Sequence, residues 1–194
     1  MHAVFLDRDG VINRERADYV KSWQEFAFLP DALPALARLA RLSCPIVVVT
    51  NQSAIGRGLT SDAAVADIHR RMCTAVAAAG GRIDAVYVCP HRPDAGCACR
   101  KPRPGLLQQA AADLGLVLTE CLLIGDSISD LQAAHAVGAA ALLVRSGRQG
   151  PQLAALIAAE VKRHASLTGV PLLPTLAEAV DLLLAQADGR PPPY

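Results

Sequence analysis

Ala3-Val4-Phe5-Leu6-Asp7-Arg8-Asp9-Gly10 is the stretch that decides the reading of this chain. Four apolar residues run without a polar break and stop at an aspartate. A short run that is apolar on both faces suits a strand buried in a parallel sheet. The same construction recurs along the chain. Ile46-Val47-Val48-Val49 stops at Thr50-Asn51, residues 85–89 stop at Pro90-His91, residues 122–125 stop at Asp126-Ser127, and residues 140–144 form a fifth run. Between the runs apolar residues recur every three or four positions, as in Leu33, Leu36, Leu39, Leu42 and in Val65, Ile68, Met72, Val76, which is helical spacing. Ser61-Asp62 and Pro104 mark helix starts. After Arg148 the pattern predicts helices over 151–165 and 175–187, with a short strand over 170–173 between them. Strand–helix alternation of this kind implies βαβ units. The expected class is α/β: a doubly wound, mostly parallel sheet flanked by helices, in one domain over residues 1–188. Gly189-Arg190-Pro191-Pro192-Pro193-Tyr194 is expected to be a flexible tail.

Composition narrows the function. With 194 residues, 52% of them apolar and 19% charged, the chain can bury a sizeable core and is not intrinsically disordered. A net charge of +1 argues against a broad nucleic-acid or membrane surface. The first apolar run is too short for a signal peptide, and no uncharged apolar stretch reaches the ~18 residues that span a bilayer. The expectation is a soluble cytoplasmic protein and a monomer, with neither a nucleic acid nor a membrane as partner. In a reducing cytosol, clustered cysteines favour metal binding or catalysis over disulfides.

In open α/β sheets, sites lie beyond the carboxyl ends of the strands. Here those ends carry Asp7-Arg8-Asp9-Gly10, Thr50-Asn51-Gln52-Ser53, Cys89-Pro90-His91 and Gly125-Asp126-Ser127, with Asp130 a turn later. Three carboxylates brought together repel unless a cation sits between them, and hard oxygen ligands favour magnesium. With Arg100 and Lys101 nearby, carboxylates, a divalent cation and fixed positive charge suit phosphoryl transfer. Each feature alone has an ordinary structural reading: an Asp-x-Asp pair by chance, a Thr-Asn turn, a surface lysine, a helix cap. Four at successive strand ends form a pattern.

Phe5 to Asn13, Val49 to Gly58, Cys99-Arg100-Lys101-Pro102 and Ile124-Gly125-Asp126 with Asp130 resemble the four ordered motifs of the haloacid dehalogenase superfamily. Within it the chain most resembles the branch of heptose 1,7-bisphosphate phosphatases, with histidinol-phosphate phosphatases as near relatives. The resemblance covers residues 3 to 147. It implies a Rossmann-like fold and hydrolysis of the C7 phosphate of a heptose 1,7-bisphosphate, a small phosphorylated sugar whose product feeds nucleotide-activated heptose and surface polysaccharide synthesis. It implies Asp7 as the nucleophile that becomes an aspartyl-phosphate, and Asp9 as the acid that protonates the leaving oxygen and then activates water. It implies magnesium held by Asp7, the backbone carbonyl of Asp9 and Asp126. Thr50, Asn51 and Lys101 would bind the transferring phosphoryl group, and Ser53, Arg57 and Arg100 the rest of the substrate. Thr50, Arg100 and Lys101 would stabilise developing charge, and Asp130 would brace the metal loop. Ser127 stands where many relatives carry Lys, and Ala54 where relatives often carry Gly.

Cys89, His91, Cys97 and Cys99 form a C-x-H-x5-C-x-C pattern. Three thiols and an imidazole match a four-coordinate structural zinc site in number and type. The short polar loop between them has little core of its own, so a metal would supply its folding energy. The resemblance strengthens this reading, since these phosphatases carry a zinc loop at this point. Cys44, Cys73 and Cys121 read as small core hydrophobes. His2, His69, His135 and His164 receive no function. Four of the seven aromatic residues, Tyr19, Trp23, Phe26 and Phe28, gather after the first strand. Phe26 and Phe28 are expected to anchor a loop, and Tyr19 and Trp23 to shape the substrate entrance. No segment between motifs is long enough for a large cap domain, so the site should be open. The rival readings are a histidinol-phosphate phosphatase and a non-catalytic zinc-stabilised binding protein.

Overall fold

The apolar runs become one six-stranded sheet in a computed structural model of the chain, which describes residues 1–189. The strands are β1 (Ala3–Leu6), β2 (Ile46–Asn51), β3 (Ala85–Cys89), β4 (Cys121–Gly125), β5 (Ala140–Val144) and β6 (Leu172–Leu173). Their order is β3-β2-β1-β4-β5-β6, and every pairing is parallel. The helices are α1 (Ala32–Leu39), α2 (Ser53–Gly56), α3 (Asp62–Ala78), α4 (Gly105–Leu114), α5 (Ile128–His135), α6 (Leu153–Arg163) and α7 (Leu176–Ala187). This is the expected doubly wound α/β fold.

Strand alternation divides the core. Val4 and Leu6 of β1, with Ile46 and Val48 of β2, face a layer formed by α1, α3 and α7. Ala3 and Phe5, with Val47 and Val49, face the opposite layer, where Leu106, Leu107 and Ala110 of α4 and Ala133 and Ala134 of α5 pack. A smaller cluster of Leu131, Leu143, Leu153 and Leu167 seats α6 beside β5. Both faces of the sheet are covered, which is why the strands read as continuous apolar runs rather than alternating ones.

Several boundaries differ from the periodicity. The helix expected through Leu42 ends at Leu39, because the chain must turn back into β2. The Arg82 guanidinium holds that turn by donating to the carbonyls of Ala40 (2.6 Å), Leu42 (2.7 Å) and Cys44 (2.6 Å). The last strand shrinks to Leu172–Leu173 at the sheet edge. The helix expected over 151–165 stops at Arg163, and a separate 3-10 turn covers Ala165–Leu167. The expected tail 189–194 lies, apart from Gly189, outside the described residues. Among the described residues, the segment between β1 and β2 holds only a 3-10 turn (Trp23–Glu25) and α1, so no cap domain is inserted there. No described helix is long and apolar enough to cross a membrane.

Two caps fix helix starts that the site depends on. The Ser61 hydroxyl accepts from the Ala64 amide at 3.1 Å and begins α3. At α5, Ser127 and Asp130 form a reciprocal capping box. Leu36, fully buried between α1 and the sheet, tests the core: Leu36→Ala should destabilise the protein by about 2–5 kcal/mol, read as a lower midpoint in urea unfolding.

Candidate active site

Strand order reverses about β1, so β2 and β4 flank it and their carboxyl ends open into one crevice. A cleft of ≈ 360 Å³ lies there, lined by Asp7, Asp9, Thr50, Asn51, Ser53, Arg100 and Asp126 among others. Asp7 follows β1 directly, and its amide donates to the Ile124 carbonyl of β4 at 2.9 Å. That contact continues the β1–β4 register and puts Asp7 beside Asp126.

Lys101 sits beneath Asp7. Its ammonium lies 2.9 Å from Asp7 Oδ1 and 2.6 Å from Asp130 Oδ1, and donates to the Val49 carbonyl at 2.9 Å. Its side chain is only 2% exposed. Burial alone would favour the neutral amine, but the charges of Asp130 and Asp7 outweigh it and hold the pKa above the usual lysine value. Asp7 Oδ1 also accepts the Arg8 amide at 2.7 Å, so Oδ2 is the oxygen left for the cleft.

Asp7, Asp126 and Asp130 can each direct a carboxylate oxygen to a common point, within 4.8 Å of one another. Their engagements differ. Asp130 is fully buried, takes the Lys101 ammonium on one oxygen, and on the other accepts from the Ser127 amide (3.1 Å) and hydroxyl (2.5 Å). Asp7 and Asp126 line the cleft and Asp130 does not. Burial chiefly raises the Asp126 pKa well above its usual value, reinforced by the negative charges of Asp7 and Asp130. Burial also raises Asp7, to about 7, against the lowering effect of Lys101. Two carboxyl groups so reluctant to ionise side by side are a donor set that fits a hard divalent cation. The backbone keeps this point open: Gly10, at φ 82°, and Gly147 approach Asp126 so closely that a Cβ on either would collide with its carboxylate.

Asp9 is held differently. Arg8 Nη2 donates to both carboxylate oxygens (2.9 and 2.8 Å), Asn13 Nδ2 donates at 2.8 Å and Gln52 Nε2 at 2.7 Å. Burial would raise its pKa, but the charge and hydrogen bonds of Arg8, with those of Asn13 and Gln52, bring it below the usual carboxylate value. Gln52 Nε2 also donates to Thr50 Oγ1 at 2.9 Å, which ties the two strand ends together. Asn51 exchanges hydrogen bonds with the Lys101 backbone, Nδ2 to the carbonyl and Oδ1 from the amide, both at 3.1 Å.

The four metal-type residues of the loop after β3 converge. Cys89 Sγ lies 3.7 Å from Cys97 Sγ, 3.3 Å from Cys99 Sγ and 3.6 Å from His91 Nδ1, and His91 Nδ1 lies 3.2 Å from Cys99 Sγ. Tetrahedral zinc with Zn–S of ≈ 2.3 Å places its sulfurs about 3.7–3.8 Å apart, so the cluster can hold zinc. Burial pushes the Cys89 thiol up to about 12, so only a metal would keep it as thiolate near neutrality. Cys44, Cys73 and Cys121 are free thiols outside this cluster, and Cys121 is buried. The loop delivers Pro93 and Arg100 to the cleft wall, and Arg100 Nη1 reaches the His91 carbonyl at 3.4 Å.

Not every expected residue reaches the cleft. Arg57 is absent from its lining and sits 6.0 Å from the Tyr19 ring centre. Tyr19 lines the cleft, with a left-handed φ of 66°. Trp23 instead stacks on Phe26, with ring centroids 5.1 Å apart, and meets Phe28 edge-on, so it belongs to the aromatic anchor of the loop. Sequence reading missed Glu15, Arg16, Ser129, Arg148 and Gln149, which also line the cleft with Ser127. Arg148 and Gln149 follow β5, so extending the strand-end rule by one strand finds them.

A parallel sheet whose central strand ends in a carboxylate backed by a buried ammonium defines a phosphoryl-transfer hydrolase. A family model described as HAD-hydrolase-like matches residues 98–178. The chain is 44% identical over 154 residues, 79% of its length and 86% of the relative's, to the D-glycero-beta-D-manno-heptose-1,7-bisphosphate 7-phosphatase of Bordetella bronchiseptica. It is 47% identical over 142 residues, 71% of its length and 74% of the relative's, to the corresponding alpha-series enzyme of Mycobacterium bovis. The crystal structure of the D,D-heptose bisphosphate phosphatase from B. bronchiseptica, complexed with magnesium and phosphate, superposes with a TM-score of 0.85 at 39% identity, covering 96% of this chain and 99% of that one. The chain belongs to the haloacid dehalogenase-like hydrolases, in the family of these phosphatases, and is a phosphoric monoester hydrolase.

Two measurements test the metal sites. Divalent-cation binding at Asp7 and Asp126 must displace protons from carboxyl groups whose pKa values are raised, so affinity should rise with pH through about 7. Calorimetry in buffers of different ionisation enthalpy should show proton release at pH 6.5 that fades by pH 8.5. Elemental analysis should find one zinc per chain, lost in Cys99→Ala.

Proposed function

We propose that this chain removes the C7 phosphate of a D-glycero-D-manno-heptose 1,7-bisphosphate and leaves the C1 phosphate in place. The reading is carried by Asp7: its Oδ2 faces the cleft beside Asp126, while Oδ1 is fixed by Lys101 and the Arg8 amide. The names of the relatives supply the substrate, and because both the alpha and beta series occur among them, the proposal concerns the C7 position and not the anomer. Such a product serves nucleotide-activated heptose synthesis.

Asp7, Asp126 and the backbone carbonyl of Asp9 are the residues that would hold magnesium. The cation supplies charge neutralisation, so that an anionic carboxylate can approach an anionic phosphate. Asp7 Oδ2 attacks phosphorus, the bond from phosphorus to the C7 oxygen breaks, and Asp9 gives its proton to that oxygen. Water then attacks the phosphorus of the aspartyl-phosphate, Asp9 takes a proton from the water, and the bond to Asp7 breaks to release phosphate. Asp9 is a carboxylate as it stands in the structure. A phosphate monoester brought against it adds negative charge and favours uptake of the proton the first step needs.

Thr50 offers its hydroxyl hydrogen to a phosphoryl oxygen, since its Oγ1 already accepts from Gln52. Asn51 presents its side chain to the cleft while keying the Lys101 backbone. Lys101 neutralises Asp7 from behind, and Asp130, engaged by Lys101 and Ser127, braces rather than ligates. Arg100 and Ser53 line the cleft where the sugar and its second phosphate would lie, and Arg57 would act at its rim through Tyr19. Cys89, His91, Cys97 and Cys99 hold structural zinc.

Asp7→Asn should abolish phosphate release, by at least about 10³-fold, while circular dichroism shows that the fold is retained. A phosphate-release series with both heptose bisphosphate anomers, histidinol phosphate and fructose 1,6-bisphosphate should show the largest kcat/KM for a heptose bisphosphate. A preference for histidinol phosphate overturns the substrate assignment without touching the chemistry.

A further inference from the structure

Arg8 is a fully buried arginine beside the active site, and its guanidinium has few partners. Continuing the alternation that turns Val4 and Leu6 toward the α1–α3–α7 layer, Arg8 points at α3. Nη2 contacts both oxygens of Asp9 at 2.9 and 2.8 Å. Nη1 meets Nε2 of His69, a buried histidine of α3, at 3.1 Å. Nε has no hydrogen-bond partner. The sideways placement of the guanidinium therefore depends on two groups, Asp9 in front and His69 behind.

A guanidinium only donates, so His69 Nε2 must present its lone pair and the ring must be neutral, with its hydrogen on Nδ1. Burial, with the charge of Arg8 beside it, depresses His69 to about 4, in keeping with a ring that serves as an acceptor throughout the neutral range.

We infer that His69 is a positioning residue for the reaction: by accepting from Arg8 Nη1 it fixes the guanidinium that aims the Asp9 carboxyl at the leaving oxygen. The chain of contacts runs from α3 through Arg8 to Asp9. Asn13 and Gln52 hold Asp9 from its other sides, and neither replaces the contact behind Arg8. The inference rests on the reading of Asp9 as the general acid, and in the steps through the first phosphoryl transfer it makes His69 matter only where a proton must reach the leaving group.

That condition gives the test. A sugar phosphate leaves as a poor alkoxide and needs the proton, whereas p-nitrophenyl phosphate leaves as a stable phenolate and does not. For each substrate kcat/KM reports on the steps through the first phosphoryl transfer. His69→Leu should lower kcat/KM for heptose bisphosphate by about tenfold or more, through kcat with KM little changed, and lower that for p-nitrophenyl phosphate by less than about threefold. His69→Gln, whose Oε1 can stand where Nε2 does, should restore most of the loss. Equal losses on both substrates mean that the variant has merely lost folded protein or general order, and overturn the inference. So does an unchanged rate on the sugar phosphate, or a His69→Gln no better than His69→Leu. Asp9→Asn is run beside them. If it lacks the leaving-group dependence the acid assignment fails, and if it shows the dependence while His69→Leu does not, only the role of His69 fails.

Discussion

A buried ammonium organises this molecule. Lys101 is withdrawn from water, and a charge in that position is tolerated only where opposite charge and hydrogen-bond acceptors close around it. Its partners come from three separate parts of the chain: Asp7 after β1, the Val49 carbonyl and Asn51 in β2, the latter gripping the Lys101 backbone, and Asp130 on α5. Removing one partner from such a cluster leaves an uncompensated charge and typically costs about 3–5 kcal/mol. The β2-β1-β4 order, the cap of α5 and the path of the loop after β3 are all constrained to meet at this point. The same arrangement fixes one oxygen of Asp7 and leaves the other for the cleft.

The two aspartates of the first loop are prepared in opposite directions. Asp7 and Asp126 are raised by burial and, in each case, by neighbouring carboxylates, Asp130 among them, which makes them receptive to a cation. Asp9 is lowered by the donors that surround it. Two residues apart in sequence, Asp7 and Asp9 meet different surroundings because Arg8 between them enters the core and the backbone turns after Asp9 at Gly10. The cap at Ser127 contributes as well: a hydroxyl and an amide hold one oxygen of Asp130, while Lys101 sets its buried positive charge against Asp7 and Asp130.

Much of this was legible in the chain itself. The five long strands declare themselves because both sheet faces are covered, so their residues are apolar in succession. The strand-end polar groups declare themselves because little else accounts for aspartates at the close of buried runs. The cysteine loop is readable because its four ligands are close in sequence. What stayed hidden depends on contacts between distant segments. His69 and Arg8 are 61 positions apart, and nothing local marks that histidine off from an ordinary core residue. Trp23 stood next to Tyr19 and was grouped with it, yet the packing of three rings drew it away from the cleft. Asn51 reads as a phosphate ligand, and its exchange with the Lys101 backbone depends on a loop 50 residues further on. The shortening of α1 was set by Arg82, whose carbonyl acceptors no periodicity displays.

The loop from Cys89 to Cys99 is held by its own ligand cluster, while the sheet and its two helical layers are held by apolar burial. One wall of the cleft, through Pro93 and Arg100, is thus borne by a segment that leans on this cluster as well as on the core, to which Cys89 belongs and against which Cys97 and Cys99 pack. The three sulfurs gathered there also make this wall the place where oxidants and competing soft metals would reach the specificity of the site.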